Sequence, residues 1–231
     1  MKVNNIEVAG FCGALRGMRN PLNSWDKSDS CPIDKLAWED LTLDDKICRY
    51  HVGEKDLDLA KRLIKAGPSD CKFLRQIYVN CDITAPLYWW KEMDQYKVGT
   101  VTNSTSTMHK LASTPITKEC FEMDDFFDAA VFSVESIRAS DMWDGLIVAC
   151  EHLRRKYLAT KDKRYWKELI RILPESWLQT RTWSANYMVL RSIYFQRKNH
   201  KLSEWKTFCD FIKLLPYSDE LICYDPKKEK E

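Results

Sequence analysis

The chain has 231 residues, enough for one large domain or two small ones around a substantial core. Hydrophobic residues make up 45% and charged residues 30%, which excludes a disordered chain; a net charge of +2 argues against a strongly basic nucleic-acid surface. No apolar run approaches the ~20 residues of a membrane span, so neither nucleic acid nor membrane is expected as a partner. Residues 1–50 read as an irregular N-terminal region of a single domain. Gly10, Gly13 and Gly17 lie close together but follow no clear strand, so a phosphate-loop reading has little support. Asn20-Pro21 and Cys31-Pro32 punctuate turns, and residues 24–30 read as a polar loop.

Regular structure is predicted from Glu54. Leu57, Ala60, Leu63 and Ile64 form a helical stripe, which Gly67 and Pro68 stop. Apolar and polar residues then alternate over 73–83, the period of a half-buried strand. Ala85-Pro86 opens a second helix, carrying Leu87-Tyr88-Trp89-Trp90 and running to about Tyr96. Residues 99–107 are rich in hydroxyls, and read as a linker or as an anion contact. Residues 111–140 are a candidate insertion with a short acidic-aromatic helix over 122–127.

The second half is predicted to be mostly helical. Trp143, Leu146, Ile147, Cys150, Leu153 and Tyr157 mark one helix behind an Asp141 cap. Tyr165, Trp166, Leu169, Ile170 and Leu173 mark another, ended by Pro174. Asn186, Leu190, Ile193 and Arg197 fall on one face of a third, and Trp205, Phe208, Ile212 and Leu215 mark a fourth. Residues 225–231 read as a solvated tail. The fold class is therefore α/β (α+β): a mixed sheet packed with helices, with a helix-rich second half.

Nine cysteines without a CxxC pair, and no signal peptide, favour reduced thiols in a cytoplasmic protein over a disulfide framework. The four histidines are widely separated, so no metal site is expected.

Two stretches point to a ligand. One runs from Ala85-Pro86 through Gln95-Tyr96-Lys97 into the hydroxyl-rich run. The other runs from Arg171 and Leu173-Pro174 through Asn186 to Arg197, an amide and a guanidinium three turns apart. A buried cap plus a surface arginine accounts equally well for the last pair from spacing alone.

The order of these elements resembles the flavin-dependent thymidylate synthase family over roughly residues 55–110 and 165–215. The matching parts are the helix ending at Gly67, the strand over 73–83, Ala85-Pro86, the hydroxyl run, Leu173-Pro174, Asn186 and Arg197. The family's Arg-His-Arg motif falls on Gln95, Tyr96 and Lys97. Its nucleotide-side serine falls on Thr105 or Ser106, and a following arginine on Thr107. Arg171 lies one residue nearer Leu173-Pro174 than the family spacing. Met188 and Ser192 stand at further flavin-facing positions.

The resemblance implies that Arg197, Arg171, Ser106, Thr105 and Gln95 bind nucleotide, and that Tyr96, Lys97 and Asn186 face the flavin. It implies one-carbon transfer to C5 of dUMP or a related pyrimidine deoxynucleotide. FAD would be the cofactor, weakly held or lost, because glutamine lacks the charged fork of arginine. NADPH and methylenetetrahydrofolate would serve a catalytic form. A homo-oligomer, a tetramer, is implied as well. Two alternatives stay open: a non-catalytic nucleotide-binding protein on the same scaffold that has lost flavin, and an unrelated α/β interaction protein whose aromatics fill a core.

Overall fold

The computed structural model describes residues 1–130 and 137–227. In chain order its elements are β1 (Lys2–Ala9), α1 (Phe11–Arg19), β2 (Cys31–Pro32), α2 (Leu43–Cys48), β3 (Tyr50–His51), α3 (Glu54–Ala66), β4 (Tyr78–Pro86) and α4 (Leu87–Met93). They continue with β5 (Val101–Ser104), α5 (Thr107–Lys110), α6 (Ala139–Thr160), α7 (Lys163–Ile172), β6 (Leu178–Asn186), α8 (Tyr187–Arg197), α9 (Ser203–Lys213) and α10 (Ser218–Leu221). Four strands form a sheet in the order β1-β4-β6-β5, and β2 pairs antiparallel with β3. Strands and helices thus combine as the α/β composition predicts.

By its internal packing the chain divides into two compact units. One comprises Met1, Thr84–Asp94 and Ser104–Arg181; the other comprises Lys2–Ile83, Gln95–Asn103 and Thr182–Glu231. Strands β4, β5 and β6 each pass from one unit to the other part-way along their length.

The first unit is built on α6 and α7, which pack together. Leu111, Ile116, Phe121, Cys150 and Leu169 form its core, with Trp143 and Trp177 against it. Phe121 meets the Trp177 ring edge-on at 5.5 Å. Side chains buried this way contribute about 1.5–3 kcal/mol each. Among ion pairs here, Glu151 stands out. Its carboxylate takes Arg154 Nε at 2.6 Å and Arg155 Nε at 2.8 Å, and accepts from the Ile116 N–H at 2.9 Å.

In the second unit, α1 turns Phe11, Ala14, Leu15 and Met18 inward, four apolar residues on one helical face. Phe11 meets Tyr187 edge-on at 5.7 Å, and the Tyr187 hydroxyl donates to the Pro216 carbonyl at 2.7 Å. Gly10 joins β1 to α1 at φ +104; a Cβ there would lie 2.1 Å from the Gln76 carbonyl oxygen. Gly10 therefore serves close packing, whereas Gly13 has open space beside it. Gln76 also crowds Gly17 from its side-chain amide.

Several expectations are corrected. Residues 1–50 are not irregular throughout: they hold β1 and α1. The strand over 73–83 begins later, at Tyr78, because Lys72–Gln76 coil as a 3-10 turn that buries Phe73 and Leu74. The helix after Pro86 ends at Met93, before Tyr96. Residues 122–127 are not helical: Phe121 bridges to Trp177, and Glu122 N–H donates to the Ser176 carbonyl at 2.7 Å, so this backbone is engaged elsewhere. The stretch 178–186 is a strand, where a helix-rich region is expected. Part of the candidate insertion, 131–136, and of the tail, 228–231, lies outside the described residues.

Candidate functional site

The hydroxyl-rich run is neither linker nor loop throughout. Its first part is β5, and Thr105 continues from the strand by donating its N–H to the Thr180 carbonyl at 2.9 Å. The Gln179 side chain then fixes the turn: its amide nitrogen donates to the Thr105 carbonyl at 2.9 Å and to Thr107 Oγ1 at 3.4 Å. Ser106 caps the short α5, its Oγ accepting from the His109 N–H at 3.1 Å. Beside this turn opens a shallow cavity of about 300 Å³. Thr105, Ser106, Thr107, Lys110, Ser113 and Thr114 line it, with Trp177 and Leu178 as an apolar wall. Hydroxyls beside an ammonium make this an environment for an anion.

Arg181 braces the same unit. Its guanidinium lies 4.2 Å from the centre of the Trp90 indole, donates from Nε to Gln179 Oε1 at 2.9 Å and pairs with Asp94 at 2.8 Å. It therefore orients Gln179, the residue that holds Thr105 and Thr107.

The second unit carries a separate cluster. Arg197 ends α8, stacks 4.6 Å from the centre of the buried Trp205 ring and donates from Nε to Tyr96 Oη at 2.9 Å. The Tyr96 hydroxyl donates onward to Gln196 Oε1 at 3.0 Å. Asn186 is the N-cap of α8, not a residue of its face: Oδ1 accepts from the Val189 N–H at 3.1 Å. Gly99, with φ +77, lies beside this cap: a Cβ there would stand 3.0 Å from Asn186 Nδ2.

Two similar solved structures are of flavin-dependent thymidylate synthase ThyX from Helicobacter pylori with FAD and dUMP. Each aligns with a TM-score of 0.62 and 18% identity, covering 96% of this chain and 97% of the other. The chain has the fold of a flavin-dependent thymidylate synthase. No protein-family model and no curated protein matches the sequence, and at this identity the likeness is one of fold.

Against that fold, the residues singled out from sequence fall into groups. Thr105 and Ser106 share the hydroxyl-lined cavity. Tyr96 and Arg197 meet directly, and Asn186 stands at the other end of α8. Gln95 and Lys97 are exposed on the turn after α4. Arg171 sits near the end of α7, exposed, paired with Glu168 at 2.8 Å, and is not among the residues lining the cavity. Of the further positions that the resemblance assigns to flavin, Met188 is half-buried and Ser192 accepts from the Gln196 side chain at 3.0 Å.

Lys110, Gln179 and Arg181 are not singled out by the sequence patterns, and Trp205 is marked there only as part of a helix stripe. A signal for two of them exists. Over 178–186 the polar Thr180, Thr182 and Ser184 alternate with Gln179, Arg181, Trp183 and Ala185, a strand period rich in threonine. Reading it as a strand puts Gln179 and Arg181 on the same side as the buried Trp183.

Proposed function

We propose that this protein binds a pyrimidine deoxynucleotide, dUMP or a close relative, with the phosphate at the cavity lined by Thr105 and Ser106. The observation that carries this reading is the fold correspondence over nearly the whole of both chains with a protein solved with dUMP and FAD. The hydroxyl-lined cavity supplies local chemistry suited to a phosphate. The resemblance also assigns Arg197, Arg171 and Gln95 to the nucleotide, although Arg171 pairs with Glu168 and does not line this cavity.

FAD is the cofactor in this reading, and it is lightly held. Reduced flavin supplies a hydride when bound. The side chains assigned to it are largely committed within the protein: Asn186 caps α8, and Tyr96 bonds Arg197 and Gln196. That leaves Lys97 as the assigned polar group exposed to solvent. Transfer of a one-carbon unit from methylenetetrahydrofolate, with NADPH as reductant, belongs to the catalytic version of the proposal. These same commitments favour a second version, a nucleotide-binding protein without flavin chemistry. In both, the assembly is a homotetramer working in the cytoplasm; no helix among the described residues is long and apolar enough to cross a membrane.

The test is calorimetry with dUMP, together with the visible absorbance of the purified protein. Nucleotide binding with little co-purified flavin, and flavin uptake that needs high concentration or nucleotide, is the expected result. Near-stoichiometric flavin in the purified protein overturns the lightly held cofactor and favours the enzyme. Absence of any nucleotide binding overturns the function.

A further inference from the structure

We propose that Lys110 provides the positive charge of a phosphate-monoester subsite in the hydroxyl-lined cavity, an inference that rests on the nucleotide-binding reading of that cavity. The hydroxyl-rich run over 99–107 carries no cation of its own. Lys110 is the charged residue among the described residues that line the cavity, and no carboxylate lines it. The field there has one sign.

The local backbone explains why this lysine faces the hydroxyls. Lys110 N–H donates to the Ser106 carbonyl at 2.9 Å, closing one helical turn. Residues four apart on such a turn project to the same side. Ser113 then folds back, its N–H and Oγ both donating to the Lys110 carbonyl, at 2.9 and 2.7 Å. Three short-range contacts thus gather Ser106, Lys110 and Ser113 around one opening.

The protons are arranged for an anion too. Ser106 Oγ already accepts from the His109 N–H, and Thr107 Oγ1 accepts from the Gln179 amide. A hydroxyl that accepts from the fold keeps its own O–H to donate. Two such donors and an exposed ammonium form a site for an oxyanion, with Trp177 and Leu178 beside it for the less polar part of the ligand. A volume of about 300 Å³ is at the small end for ligand cavities, suited to a phosphate and the sugar that bears it.

The experiment compares wild type, Lys110→Ala and Lys110→Arg on the full chain, using dUMP, deoxyuridine and inorganic phosphate as probes. Affinity is read by calorimetry, and contact by amide NMR shifts of Thr105, Ser106 and Thr107. Lys110→Ala should weaken dUMP binding about ten- to a hundredfold, leave deoxyuridine binding unchanged, and be rescued by Lys110→Arg. Its unfolding temperature should match wild type, because the side chain is exposed. Equal dUMP affinity in wild type and Lys110→Ala overturns the subsite while leaving the nucleotide reading intact. If dUMP does not bind but inorganic phosphate shifts those amides in wild type and not in Lys110→Ala, the subsite stands and the nucleotide reading falls. If phosphate shifts them in neither, the subsite falls as well.

Discussion

The Arg197 guanidinium donates from Nε to the phenolic oxygen of Tyr96 across 2.9 Å, linking two residues 101 positions apart in sequence. The same guanidinium covers the face of Trp205. It also lies 5.7 Å from the centre of the Tyr96 ring, so this arginine is held in a fixed orientation, which suits an anion or a planar ligand.

The variant Arg197→Ala should weaken dUMP binding about ten- to a hundredfold in calorimetry, the worth of one charge-assisted contact. Tyr96→Phe removes only the hydroxyl that accepts from Arg197, at a cost to stability of about 0.5–1.5 kcal/mol. It should leave most of the nucleotide affinity in place. An unchanged dissociation constant for Arg197→Ala removes this residue from the site.

Gly99 should not tolerate a side chain. Its φ of +77 disfavours any L-residue, and a Cβ would lie 3.0 Å from Asn186 Nδ2 and 3.2 Å from Val189 Cγ2. Gly99→Ala should destabilise by about 1–2 kcal/mol in urea unfolding, from the left-handed backbone alone. Crowding of the Asn186 cap adds to this. A variant as stable as wild type would mean that the turn after α4 relaxes freely.

Glu151 should contribute to acid sensitivity. The Arg154 side chain, then the Ile116 N–H and Arg155, hold its carboxyl down at about 2. A carboxylate with a depressed folded-state pKa stabilises the fold above its unfolded value, about 4.3, and loses that contribution as pH falls toward 2. Glu151→Gln should therefore lie below wild type in stability at neutral pH, with the gap narrowing between about pH 5 and 2. Chemical denaturation across that range reads the difference. A gap that does not change with pH would separate Glu151 from the acid response.

A tetramer is the expected assembly, and light scattering at micromolar concentration measures it. Exposed apolar side chains such as Val148 on α6 and Leu22 after α1 are available for burial between copies. A stable species of 27.2 kDa would contradict the assembly.

The sequence by itself determined the helices whose apolar stripes are local. The α3 stripe ends at Gly67 as the Gly-Pro pair predicts, α7 stops before Pro174, and α6 and α9 follow the Trp143 and Trp205 patterns. It also marked Thr105, Ser106 and Arg197 by order and residue type. A helix satisfies its hydrogen bonds within a few residues, so its signal is written in consecutive positions. What only the tertiary structure decided depends on partners far along the chain. Residues 178–186 become a strand, and Gln179 reaches Thr105 across 74 positions. Arg197 reaches Tyr96 across 101 positions, and Arg181 pairs with Asp94 across 87. Lys110 acquires meaning only when Trp177 and Leu178, far along the chain, come beside its turn to line one cavity. Strand pairing and cavity lining are non-local, and no window of sequence contains both partners.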